Sequence, residues 1–213
     1  MLALTKITHS QDIFFVLIVL SFLLIALIKG VYWKHAKLLF MGVFAQRYAN
    51  QYLRQENAFT ERVSFLTFLL MNINFTLIIA KFQEVMGLRA VFSLFSLVAV
   101  FFLLKLIVIK TLGFLFKVQD LAKLAVFFSL LFDKTLAFVL SPLVVMLYFF
   151  SFEISSAILI VSLCLFIVFL ILKLFWLWKM GANSFGLSQV YIFLYLCFLE
   201  FFPLLLLAKG TLY

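Results

Sequence analysis

A chain of 213 residues that is 68% hydrophobic and only 12% charged, with a mean hydropathy of +1.28, is not a water-soluble domain, in which about 25% of residues are ordinarily charged. Its solvent is lipid. A net charge of +9 would suggest nucleic acid in a soluble protein, but here the basic residues sit beside apolar runs and show no repeat with the aromatic ones, so nucleic acid is excluded and membrane lipids are the expected partner.

The 31 Phe make the surface bulky, and the seven Gly all fall at or between the ends of apolar runs, with no Gly-x-x-x-Gly pair inside one to signal close helix dimerisation. Cys164 and Cys197 lie in apolar runs without a Cys-x-x-Cys or histidine companion. Neither a disulfide framework nor a metal site is expected from them. His9 and His35, the two histidines, lie outside the runs, which disfavours a bis-histidine haem or a zinc site, and no cofactor is expected.

The first apolar run, 12–30, follows a short stretch with Lys6 and His9 that invites a signal-peptide reading. Three features oppose it: the run exceeds the usual apolar region of roughly 7–15 residues, Lys29 closes it, and no small-x-small cleavage site follows. It is expected to stay as the first helix. Residues 31–62 hold Lys34, His35, Lys37, Arg47, Arg54 and Arg62 interleaved with Tyr32, Trp33, Tyr48 and Tyr52. This pattern describes a cytoplasmic interfacial segment, drawn to anionic headgroups by about 1 kcal/mol per charge. Lys34, Lys37, Arg47 and Arg54 are the expected headgroup contacts, and residues 38–45 are apolar enough to dip into the membrane.

The second span, 64–80, carries Asn72, Asn74 and Thr76 near its centre. Asn72 and Thr76, four apart, share a helical face suited to hydrogen-bonding a neighbouring helix, whereas Asn74 points away from both and is the one open to a solute. Lys81, Glu84 and Arg89 lead to the third span, 90–109, where Lys105 is expected to snorkel to the headgroups with Lys110. Lys117, Asp120 and Lys123 mark a second basic connection.

The fourth span, 124–152, is longer than one perpendicular crossing needs. Either it tilts and carries Asp133 and Lys134 into the membrane, or the crossing is 135–152 and the charged pair lies at the cytoplasmic surface. Pro142 is expected to kink it. The fifth, 155–178, follows a hinge with Glu153 and ends in an interfacial belt of Lys173, Trp176, Trp178 and Lys179. The sixth, 187–208, holds Glu200 and Pro203 well inside it.

Six spans place Lys29, Lys34, Lys37, Arg47, Arg54, Arg62, Lys105, Lys110, Lys117, Lys123, Lys173 and Lys179 on one side and Lys6, Lys81, Arg89 and Lys209 on the other. Both termini are therefore expected to face away from the cytoplasm. Residues 1–213 then read as one all-α domain, a polytopic transmembrane helical bundle of about six spans.

Glu200 needs compensation, because a carboxylate at mid-bilayer costs at least ~2.5–3.5 kcal/mol. If the fourth and sixth spans start near Leu121 and Leu187, Lys134 and Glu200 each lie roughly 20 Å along their helices and can meet at one depth. Such a pair would serve as a clamp, a proton-coupled element or a contact for a partner's helix. With the shorter fourth span, Glu200 instead faces Asn72, Asn74 or the carbonyl of Leu199 freed by Pro203.

In that last span Tyr195-Leu196-Cys197-x-Leu199-Glu200-x-x-Pro203-Leu204-Leu205-Leu206, preceded by the stretch ending at Pro142, resembles an uncharacterised integral-membrane family of Bacteroidetes, a domain of unknown function, in which a similar Leu-Glu-x-x-Pro-Leu pattern closes the chain. The likeness runs from about residue 64 to the C-terminus. It implies a bacterial inner-membrane location and brings no catalytic residue with it.

No Gly-rich phosphate loop, His-Glu-x-x-His or Gly-x-Ser-x-Gly pattern is present. The expected function is therefore a non-enzymatic inner-membrane subunit that scaffolds or modulates a larger envelope or protein-export complex, with other membrane-protein subunits as partners. The alternative is a small proton- or cation-coupled transporter using Glu200. Transporters usually pair broken helices in two related halves, whereas both prolines here lie in the second half.

Overall fold

A computed structural model describes residues 2–54, 58–83, 87–115, 119–150 and 152–184. The expected sixth span, with Glu200 and Pro203, lies outside the described residues. All seven described elements are α-helices: α1 (Leu2–Val31), α2 (Trp33–Met41), α3 (Gln46–Arg54), α4 (Ala58–Phe82), α5 (Leu88–Leu115), α6 (Gln119–Phe149) and α7 (Phe152–Ser184). Helix is what lipid demands of such runs, since every backbone N–H and C=O must find its partner within the segment.

Five of these contain stretches long and apolar enough to cross a membrane: Asp12–Val31, Ala58–Phe82, Leu88–Thr111, Lys123–Phe149 and Ala157–Trp176. They mark a multi-pass membrane protein. The helix carrying Asp133 and Lys134 is unbroken, and it continues through Pro142 to Phe149.

The chain divides into two compact units, one of Met1–Val98 with Asp133–Leu165 and one of Ala99–Phe132 with Phe166–Tyr213. In the first, Ile18, Leu24 and Ile28 of α1, Ala36 of α2, Val63, Leu70, Ile73 and Leu77 of α4 and Val144 of α6 form one buried cluster, walled by Phe14, Tyr32, Phe40, Phe138 and Tyr148. Only one stripe of α1 enters it. Phe15, Val16, Val19, Phe22 and Leu23 stay exposed, as side chains facing lipid do.

The region 31–62, expected to lie at the interface, is built as two short helices held onto α4. His35 stacks on Phe59 (centroids 5.9 Å), and the Tyr52 hydroxyl donates to the Thr60 carbonyl at 2.9 Å. From there α2 reaches inward, with Leu39 buried and Phe40 stacked on Phe138 at 4.5 Å. The apolar end of α2 thus joins the core. Gly87 takes φ +105°, a conformation open to glycine at little cost, and its carbonyl accepts the Val91 N–H that opens α5.

In the second unit Phe128, Leu131 and Phe132 of α6 are buried, Phe128 stacks on Trp176 of α7 (6.3 Å), and Lys179 Nζ lies 5.8 Å from the Trp176 ring centroid. Two sequence expectations are corrected here. Lys105 and Lys173 are 6% and 3% exposed, so both side chains are covered by protein instead of lying open, and each has a contact there. Lys105 falls in register with Val91, Leu94, Val98, Phe102 and Ile109, the buried stripe of α5, and that register outweighs its distance from the helix end.

Candidate functional site

Lys134, Ser141 and Tyr148 recur every seven residues on α6, and Ser64, Thr67, Met71 and Asn74 recur at intervals of three and four on α4. Each set lies along one face of its helix. The two faces meet in a polar seam. Lys134 Nζ donates to Ser64 Oγ at 2.6 Å, and Tyr148 donates its hydroxyl to the Leu77 carbonyl at 2.8 Å. Between them Asn74 Nδ2 donates to both the Ala137 carbonyl and Ser141 Oγ, each at 2.9 Å. Partners rise together along both helices, so α4 and α6 run in the same direction.

The orientation of the Asn74 amide follows from its partner, because the Ala137 carbonyl accepts only, and so the nitrogen must face it. Ser141 accepts from Asn74 and donates to the same Ala137 carbonyl at 3.2 Å. The next residue, Pro142, has no N–H for the Phe138 carbonyl, so α6 is weakest in its own ladder where Asn74 grips it. Beyond Leu77, Lys81 Nζ stands 5.7 Å from the Tyr148 ring centroid, a cation–π contact at the far end of the seam.

This arrangement corrects the reading of α4. Asn72 and Thr76 were the expected inter-helix pair, but Thr76 donates back to the Asn72 carbonyl at 2.7 Å, within its own helix. Asn74 makes the contact instead. Face geometry separated the two sets correctly, yet α4 is buried on nearly every side at this level, from Met71 to Asn74, so polarity alone did not tell which face met the partner. The Oδ1 atoms of Asn72 and Asn74 and the Nδ1 of His35 are buried without a partner among the described residues.

Lys134 is 4% exposed, and Ser64 is its one polar partner among the described residues. It lies level with the turn of α4 six residues past Ala58, about 9 Å along that helix, while Asn74 lies about 15 Å further. Lys134 is thus inside the protein yet near one end of α4. Asp133, half-buried beside it, has contacts of its own. Glu200, the expected counter-charge, lies outside the described residues.

The expected headgroup contacts Lys34, Lys37, Arg47 and Arg54 are all exposed, on α2 and α3. Arg47 and Arg54, seven apart, share the face of α3 opposite Ala49 and Tyr52, which are buried. Burial pushes the Tyr52 hydroxyl from the ordinary 10 up to about 12. Among the described residues no group of three His, Cys, Asp or Glu comes together to hold a metal ion. Chemically the seam offers hydroxyls, one carboxamide and two ammonium groups, Lys134 and, at its far end, Lys81: groups that clamp helices and bind anions.

Sequence reasoning missed Ser64, Ser141 and Tyr148. The seven-residue interval on α6 was the available signal. Residues 14–211 match the family described as Domain of unknown function (DUF4271). The chain belongs to that family. No curated protein and no solved structure matches it. The DUF4271 match spans both units and so takes in the whole α4–α6 seam.

Proposed function

We propose that this DUF4271 chain is a non-enzymatic integral subunit of a bacterial inner membrane, from a bacteroidete, that scaffolds or modulates a larger envelope or protein-export complex. Its six spans then leave both termini on the non-cytoplasmic side. The observation that carries the reading is the Asn74 clamp on Ala137 and Ser141. The amide nitrogen of the seam's central polar group is spent on holding two helices, as in a bundle built to keep its shape. Exposed Phe, Leu and Ile on α1, α5 and α7 supply apolar faces for lipid and for neighbouring helices.

The test is purification of a tagged copy from native membranes in mild detergent, with mass spectrometry of what accompanies it. A stoichiometric membrane protein that survives washing is the expected result. A clean monomer or homodimer contradicts it and favours the transporter that uses Glu200, for which flux into proteoliposomes must be lost in Glu200→Gln with protein abundance unchanged.

A further inference from the structure

A lysine buried in a membrane protein is held by an opposite charge or by several acceptors, because an ammonium stripped of water loses several kcal/mol of solvation. Lys134 has neither among the described residues. Its side chain is 4% exposed, and of its three N–H donors one is taken, by the neutral hydroxyl of Ser64. Two donors are left without a partner among the described residues.

Ser64, unlike Lys134, is only half-buried, so the pair is covered at the lysine and partly open at the serine. Apart from Asp133, half-buried next to Lys134 and with contacts of its own, the charged groups described around this level of the first unit are mostly basic. Five residues before Ser64, Phe59 stacks with His35 of α2; four residues after Lys134, Phe138 stacks with Phe40 of the same helix. Helix α2 therefore bridges the level of the pair, and it exposes Lys34 and Lys37. Arg62, one position before Val63, and Arg47 and Arg54 on α3 are exposed at this end as well, against a single exposed carboxylate on α4, Glu61. An anion is favoured here, and the anions present at such a level beside a span are headgroup phosphates.

We propose that Lys134 and Ser64 form a binding site for the phosphate of an anionic phospholipid, with the exposed lysines and arginines of α2 and α3 attracting the lipid and the buried pair holding it. The ammonium supplies charge-assisted hydrogen bonds to the phosphate oxygens, and Ser64 Oγ–H turns from acceptor to donor beside it. Exposed basic residues give general attraction to a negative surface; the buried pair gives one defined site. This assignment is independent of which complex the chain joins.

Purified full-length protein, stripped of lipid by detergent exchange, is offered phosphatidylglycerol or phosphatidylcholine of matched acyl chains, and native mass spectrometry counts what stays bound. The wild type is expected to retain one phosphatidylglycerol with a preference of at least about tenfold over phosphatidylcholine. Lys134→Gln abolishes that preference and Lys134→Arg preserves it, while Lys34→Gln or Lys37→Gln weakens it by no more than about fivefold. A Lys134→Gln protein with the wild-type preference overturns the proposal. Should that variant fail to accumulate, Ser64→Ala decides: a several-fold loss supports the site, and an unchanged preference overturns it. A wild type indifferent to headgroup, with the preference appearing only in Glu200→Gln, would put Glu200 on Lys134 and also overturn it.

Discussion

Helices α4 and α6 differ from α1, α5 and α7 in how apolarity relates to burial. Over their most apolar windows α4 and α6 are each 56% buried, whereas α1, α5 and α7 are 22%, 28% and 17% buried, although these three are the more hydropathic. In water the order would be reversed. In lipid the apolar side chain has no reason to leave its solvent, so polar residues decide which surfaces turn toward protein. Asn74, Ser141 and Lys134 draw α4 and α6 together, and Ser21 of α1 and Ser162 of α7 are likewise buried within helices that are otherwise mostly exposed.

The contrast is broken most severely by cutting the buried helix and the exposed one in the same way. Leu77→Ala, at a fully buried position on α4, is expected to destabilise by about 2–4 kcal/mol, because it leaves a cavity beside Tyr148. Ile167→Ala, exposed on α7, is expected to stay within about 0.5 kcal/mol. Unfolding followed in detergent–lipid mixtures compares the two, and equal losses would show that α7 is packed as tightly as α4.

Next in size is a comparison inside α4. Asn74→Leu removes two hydrogen bonds to α6 and is expected to cost about 1–2 kcal/mol. Asn72→Leu removes a side chain whose Oδ1 has no partner among the described residues and is expected to be neutral or slightly stabilising in the same assay.

Smaller effects belong to the connections. Tyr52→Phe loses the bond to Thr60 and is expected to cost about 1 kcal/mol. Because the Tyr52 hydroxyl is held up at about 12, the folded state keeps its proton more tightly than the unfolded one. Its contribution is therefore complete below pH 10 and lost as pH rises from 10 through 12, so the wild type should lose stability over that window more steeply than Tyr52→Phe. Gly87→Ala meets no atom within 4 Å, and its expected cost of about 1 kcal/mol comes from φ alone.

Much of the architecture was legible because lipid leaves few choices. Apolar runs of span length must be helices, and runs 12–30, 64–80, 90–109, 124–152 and 155–178 each fall largely within one described span. Boundaries were less legible: α6 begins at Gln119 and α7 runs to Ser184, since a helix can continue into the interface where its apolar run has ended. Facing was the least legible property. In helices apolar all round, periodicity carries almost no signal, and Lys105, Lys173 and Asn74 were each read from depth or from a neighbour instead of from the stripe on which they lie. The rule they teach is local: an interior polar residue marks the protein-facing stripe, and the residues three, four and seven positions away share it.

The measurement that bears most directly on the seam is disulfide trapping in native membranes, with Cys164→Ser and Cys197→Ser as background and a protease site inserted at 116–118. Asn74→Cys with Ser141→Cys is predicted to cross-link on mild oxidation, so that the two fragments stay joined after cleavage, while Asn72→Cys with Ser141→Cys leaves them free. Fragments that separate in the first pair and stay joined in the second would contradict the account, because the face of α4 turned toward α6 would then be that of Asn72.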